Sequence, residues 1–347
     1  MAKDASHIGL LGMGRMGRNL FRLLHDSADL HIVAVSDAAN LETLTYLLRF
    51  DTLLGRFPAV IGTGGDGSGG WFQVAGRQIR LLPAGKAGEI PWGDLGVDTV
   101  IDATESRQGR AELERHLAAG ARRVIACTPP TDPPDITFVA GVNDGELRAG
   151  QRLISCASPA TQAVAPVASI LHQAFGIRHG YVTMVHAYSD QQRLADMPAE
   201  EPRRGRAAAA NIVPLASDEA TLLEQVLPEL RGRLTALAMN VPVADGSVAD
   251  LVCWHDRPVT VAEVNRVVGE AAAAPRWAGL LEVEDNPIVS SDILRRDSSG
   301  TFDSLATMVL AGNVSKTLTW FDNGWGYAHR VADLVRRCHA AGRQERP

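Results

Sequence analysis

Cysteine is scarce and scattered. Cys127, Cys156, Cys253 and Cys338 are the four in 347 residues, and no two form a CxxC pair. That spacing argues against a disulfide framework and against a thiolate metal site, so no metal is expected. Long apolar runs are missing too. None approaches the ~20 residues that cross a bilayer, so no membrane association is expected. The first residues, Met1-Ala2-Lys3-Asp4-Ala5-Ser6, hold no apolar stretch of the signal-peptide kind. The expected location is cytoplasmic. Positive charge is also short. The formal net charge is −6, which lacks the basic footprint of a nucleic-acid binder. What is present is ordinary for a globular protein. Hydrophobic residues make up 46% and charged residues 21%, which excludes wholesale disorder. The length suits two domains with substantial cores.

The first 130 residues alternate short apolar runs with helical stretches. Strands are expected over residues 8–11, 31–35, 99–103 and 123–127, and helices over 18–25, 41–50 and 110–119. Alternation of this kind predicts parallel βαβ units in a doubly wound α/β sheet. A glycine-rich stretch, 62–70, reads as a loop before a hairpin of 71–74 and 78–82 that turns at Ala75-Gly76. Four prolines between Pro129 and Pro134 mark another loop. Beyond it the texture changes. Residues 181–185, 241–243 and 248–254 read as strands of a mixed or antiparallel sheet. Residues 260–273 and 327–341 read as helices. This second half is expected to be an α+β domain.

Gly12-Met13-Gly14-Arg15-Met16-Gly17 follows the first strand and opens a helix. The first glycine permits the turn, the second lets a pyrophosphate approach the backbone, and the third lets helix and strand pack closely. The helix N-terminus then offers free N–H groups to the anion. Asp37, twenty residues past Gly17 at the end of the second strand, can accept from ribose hydroxyls and would repel the extra phosphate of NADP.

Longer segments carry a resemblance. Gly12 to Arg18 is close to GFGRIGR. Gly141-Val142-Asn143 matches GVN, and Thr183 to Ser189 resembles TTVHAYT. Val289-Ser290-Ser291-Asp292 and Thr301-Phe302-Asp303 match VSSD and TFD, and Trp320 to Tyr327 resembles WYDNEWGY. On these motifs the chain resembles the phosphorylating glyceraldehyde-3-phosphate dehydrogenase family, in order over nearly its whole length. The resemblance implies an N-terminal Rossmann dinucleotide-binding domain, 1–157 with a returning C-terminal helix in 324–347. It also implies an α+β catalytic-type domain, 158–323, and a homotetramer. It places Arg15, Met16 and Thr104 near the cofactor and Asn323 on the nicotinamide carboxamide. Met197-Pro198 stands where NAD-preferring members carry Leu-Pro. The family's Ser-Thr-Gly is Ala103-Thr104-Glu105 here, which sets a carboxylate near the pyrophosphate unless it points to solvent. The adenine-side arginine is replaced near Gly85-Lys86.

The resemblance also marks losses. The signature S-x-A-S-C-T-T-N reads Ser155-Cys156-Ala157-Ser158-Pro159-Ala160-Thr161-Gln162, so the nucleophile position is Pro159. Proline offers neither a thiol to attack an aldehyde nor an N–H to hold the oxyanion. Ser158 and Pro159 remain a good helix start. Of the positions that hold substrate phosphates, Ser158 is kept, Ser189 and Arg206 are conservative changes, and Ser217-Asp218 replaces a threonine and a glycine. Asn240 replaces an arginine, and Gln191 replaces an aspartate. His186 keeps the position of the general base. Three readings follow. The first is a family homologue that binds NAD but has lost the phosphorylating reaction and serves a regulatory or structural role, alone or in a hetero-oligomer with an active paralogue. The second is an NAD-dependent oxidoreductase that uses His186, without a thioester, on a non-phosphorylated substrate. Asp190, Asp218 and Asn240 would steer it to neutral or cationic compounds. The third is rescue of the original reaction by Cys156, three residues before Pro159.

Overall fold

The computed structural model describes residues 5–66, 69–85, 88–189 and 192–344. Lys86, Asp190 and Gln191 lie outside the described residues, as do Gly67 and Ser68. The chain divides into two compact units. One takes the residues up to Phe138, then Gly145–Ala157, and the chain from Ala328 on. The other takes Val139–Asp144 and Ser158–Tyr327.

In the first unit seven strands run parallel. Their spatial order is Ile136–Thr137, Leu153–Ser155, Arg123–Ala126, Thr99–Asp102, Ser6–Leu11, Leu30–Asp37 and Arg77–Pro83. Both faces of the central strands are buried, which is why they read as continuous apolar runs rather than alternating ones. Gly69–Val74 and Gly62–Asp66 extend the edge antiparallel. Within the glycine-rich stretch, residues 62–66 and 69–70 are therefore strand and not loop. The cause is local. The Trp71 ring lies across Gly64, its cross-strand partner, and a Cβ there would collide with the indole. The hairpin turn at Ala75-Gly76 is as expected, with both residues at positive φ. The first helix, Arg15–Leu24, begins three residues earlier than the apolar pattern suggests, directly at the glycine turn. In this unit Arg336 of the last helix, Trp325–Gln344, pairs with Asp29 at 2.7 Å.

The second unit is built on a seven-stranded mixed sheet. Its order is Val213–Ala216, Leu234–Val241, Ile177–Ala187, Ser247–His255, Val314–Phe321, Gly300–Leu310 and Leu281–Glu284. The stretch expected at 241–243 is only the end of the strand Leu234–Val241, because Pro242 cannot donate to a ladder. The helices Pro159–Phe175 and Val261–Ala272 cover the sheet. The second starts with a full capping box between Thr260 and Glu263. Among the described residues no helix is long and apolar enough to cross a membrane.

Candidate active site and dinucleotide site

The dinucleotide turn sits at the carboxyl edge of the parallel sheet. Gly12 has φ +87, and a Cβ there would press on the backbone of Ala103 and Thr104 at about 3 Å. A Cβ at Gly17 would strike the Gly12 carbonyl. These two positions therefore require glycine for turn and packing. Gly14 is the helix N-cap with no side-chain cap, a helix start of the kind that receives an anion. Met16 is buried, and Arg15 is half-buried beside it. Asp37 is held by two backbone donors, Met13 N–H at 2.7 Å and Ala39 N–H at 2.8 Å, one on each oxygen. Each oxygen keeps a lone pair for a hydroxyl. The backbone and Asp37 fit a dinucleotide.

One neighbour does not. Glu105 has φ +59, and its Oε1 lies 3.6 Å from where a Cβ on Gly14 would stand. It is only half-buried, yet its carboxylate is aimed at the helix start rather than away from it. Thr104 folds back, its N–H and hydroxyl donating to Asp102 Oδ1 at 3.0 and 2.6 Å. Burial raises the Asp102 carboxyl above its usual range. Cys127 and Cys156 follow the paired ends of neighbouring strands, where Ala126 faces Ser155. Burial pushes the Cys127 thiol well up. Cys156 is 0% exposed, so it offers no accessible thiolate.

In the second unit Ser158 caps the helix Pro159–Phe175 by accepting from Thr161 N–H at 2.9 Å, with Pro159 at the first helical position. The Ser158 hydroxyl also donates to Glu219 Oε1 at 2.7 Å, and Thr161 Oγ1 donates to Glu219 Oε2 at 2.5 Å. Glu219 is buried, and desolvation raises its pKa. Ser217 Oγ accepts from the Glu219 N–H at 3.3 Å, and Asp218 beside it is exposed at the start of the helix Glu219–Val226. Asn240 is buried and donates to Gln192 Oε1 at 2.8 Å. The same oxygen accepts from Ser189 N–H at 3.3 Å. Arg206 is exposed and pairs with Asp196 at 3.0 Å. Glu219 and Gln192 were not singled out from sequence. A glutamate in a helix's first turn reads as an ordinary solvated partner of the helix dipole, so no sequence signal marked it.

His186 faces Asn240 across neighbouring strands, and its ring meets Phe321 edge-on at 5.8 Å. Burial lowers its pKa to about 4, so the imidazole is neutral near pH 7. Asn323 is fixed by its N–H to Asp245 Oδ1 at 3.2 Å. Its neighbour Asp322 accepts from the N–H groups of Gly324 and Trp325 and so caps the last helix. The side-chain Oδ1 of Asn323 is buried with no hydrogen-bond partner among the described residues. An acceptor in that state suits an amide donor such as the nicotinamide carboxamide.

Comparison with known proteins agrees with this architecture. Residues 6–109 match the family model "Glyceraldehyde 3-phosphate dehydrogenase, NAD binding domain", and residues 155–323 match "Glyceraldehyde 3-phosphate dehydrogenase, C-terminal domain". The chain is 44% identical over 330 residues to glyceraldehyde-3-phosphate dehydrogenase of Streptomyces coelicolor, covering 94% of this chain and 97% of that protein. It is 43% identical over 330 residues to glyceraldehyde-3-phosphate dehydrogenase 2 of Streptomyces avermitilis, with the same coverage. Over 334 residues it is 42% identical to the Mycobacterium leprae enzyme, again covering 94% and 97%. The chain belongs to the glyceraldehyde-3-phosphate dehydrogenase family, with that family's NAD-binding and C-terminal domains.

Proposed function

We propose that this family member keeps a dinucleotide site and has lost the phosphorylating oxidation of glyceraldehyde 3-phosphate. One observation carries the reading: at the helix start where the family's nucleophile belongs, Pro159 supplies neither thiol nor N–H. Loss of one oxyanion donor alone costs about 3 kcal/mol in a transition state. The neighbouring polar groups support the same reading, since Ser158 and Asn240 are engaged by Glu219 and Gln192. Cys156 does not replace the thiol, being fully buried. NAD is the expected cofactor in preference to NADP, because Asp37 would repel a ribose phosphate. When bound, NAD would supply a hydride acceptor. A regulatory or structural role follows, in a homotetramer or with an active paralogue, in the cytoplasm. Four free buried thiols suit a reducing compartment.

The second reading, direct hydride transfer assisted by His186, gains from a neutral imidazole that can take a proton. It loses from the low pKa, which makes a weak base near neutrality.

The test is NADH formation by purified protein from glyceraldehyde 3-phosphate, NAD and inorganic phosphate, with and without a thiol alkylator. We expect no turnover in either arm. Alkylator-sensitive turnover would overturn the reading. NADH formation from a non-phosphorylated alcohol, abolished by His186→Ala, would favour the second.

A further inference from the structure

We propose that Glu219 is a built-in ligand: its carboxylate fills a hydroxyl-lined anion site at the start of the helix Pro159–Phe175 and so keeps inorganic phosphate out. The inference deepens the loss-of-phosphorylation reading and rests on it.

A buried carboxylate is costly unless its oxygens are satisfied. Glu219 is buried, and no cation among the described residues pairs with it. Its oxygens are met by two hydroxyls instead, one oxygen each, from Ser158 and Thr161. The donors are aimed. Ser158 is locked by its cap to Thr161 N–H, and its oxygen lies 2.9 Å from Thr161 Oγ1. The 17-residue helix they open directs the positive end of its dipole at the same point. Two fixed hydroxyls and a helix start form a receptor for a tetrahedral oxyanion as well as for a carboxylate. A phosphate dianion cannot share it with Glu219. Like charges in contact, out of water, repel strongly, and the space is already taken. Asp218, which also pushes the Glu219 pKa up, adds a second negative charge beside it.

The arrangement has a consequence for the protein's chemistry. Restoring a cysteine at position 159 would return the thiol and the oxyanion donor but not the phosphate acceptor, because the acceptor's place would still hold Glu219.

The test is inorganic phosphate binding, read by calorimetry and by the rise of Tm with phosphate, without any turnover. Wild-type protein is expected to show no saturable effect. Glu219→Ala is expected to bind phosphate about tenfold tighter or more, since two charge-assisted donors are released. Adding Ser158→Gly, which keeps a tolerated helix cap while removing the hydroxyl, is expected to abolish that gain. A folded Glu219→Ala that binds no better than wild type would overturn the proposal, as would a gain that survives Ser158→Gly. If Glu219→Ala does not fold, wild-type crystals in concentrated sulfate decide. Glu219 still on Ser158 supports the proposal, and sulfate on Ser158 with Glu219 displaced overturns it. Wild-type turnover would sink the loss-of-function reading whatever the binding result, so the two failures are distinguishable.

Discussion

Glu105 carries a side chain in a backbone conformation that favours glycine, and it does so beside the N-terminus that a pyrophosphate would use. Left-handed φ costs a non-glycine residue ~1–2 kcal/mol, and like charges near a protein surface repel by a few kcal/mol before screening. Both effects vanish together in Glu105→Gly. Calorimetric titration with NAD is expected to show affinity rising by about tenfold or more in that variant, the ~1.4 kcal/mol of one decade. Unchanged affinity would mean that the carboxylate swings clear when NAD binds. Glu105 was legible in sequence as a misplaced charge. Glu219 was not. Its effect comes from two hydroxyls at positions 158 and 161, about sixty residues away along the chain.

At the scale of elements, two helix starts make a useful comparison. Thr260 and Glu263 form an exposed capping box, and Thr260→Ala should cost about 1 kcal/mol. Ser158 caps its helix in the same way but also satisfies a buried carboxylate. Ser158→Ala should cost ~2–3 kcal/mol, because a buried acceptor loses its donor as well. Urea unfolding of both variants measures the difference, and equal costs would show that Glu219 does not depend on Ser158. The caps themselves were readable, since serine before proline and threonine three before glutamate are local patterns. The glycine-rich strands were not. Only the cross-strand partner Trp71 explains why glycine occupies Gly64. Several segments that carry the family resemblance are structural at this scale. Asp303 accepts from the Trp320 indole at 3.0 Å, Asn143 accepts from Val139 N–H at 2.9 Å, and Asp322 caps the last helix. Such motifs track the fold rather than the chemistry, which is how the resemblance persists under the proposed loss of the nucleophile at Pro159.

At the scale of the molecule, one face of the second unit's sheet exposes several large apolar side chains. Cross-strand register puts Leu237, Tyr181, Trp254, Met308 and Leu310 on the same side, and all are exposed, Leu310 at 72%. Within that face Asp250 pairs with Lys316 while its other oxygen is buried and has no hydrogen-bond partner among the described residues. A patch of this kind on a folded chain is where a contact with another chain is expected. The proposed homo-oligomer would cover it with a second copy. Sedimentation should therefore find an assembly larger than one chain, and Trp254→Glu, which buries a charge in the contact, should shift it to smaller species. A monomeric wild type would remove the basis for this assignment.

The sequence by itself determined the family, the Rossmann start at Gly12-Met13-Gly14-Arg15-Met16-Gly17 and the absence of a thiol at position 159. These are statements about residue identity and short-range order, and they need no contacts. Tertiary structure alone decided that Cys156 is sealed in the core, that desolvation depresses the His186 pKa, and that Glu105 and Glu219 bring carboxylates to the starts of two helices. The reason is physical. Burial, desolvation and hydrogen-bond partnership belong to pairs of groups distant in the chain, and they come into being only when the sheet and its helices close around them.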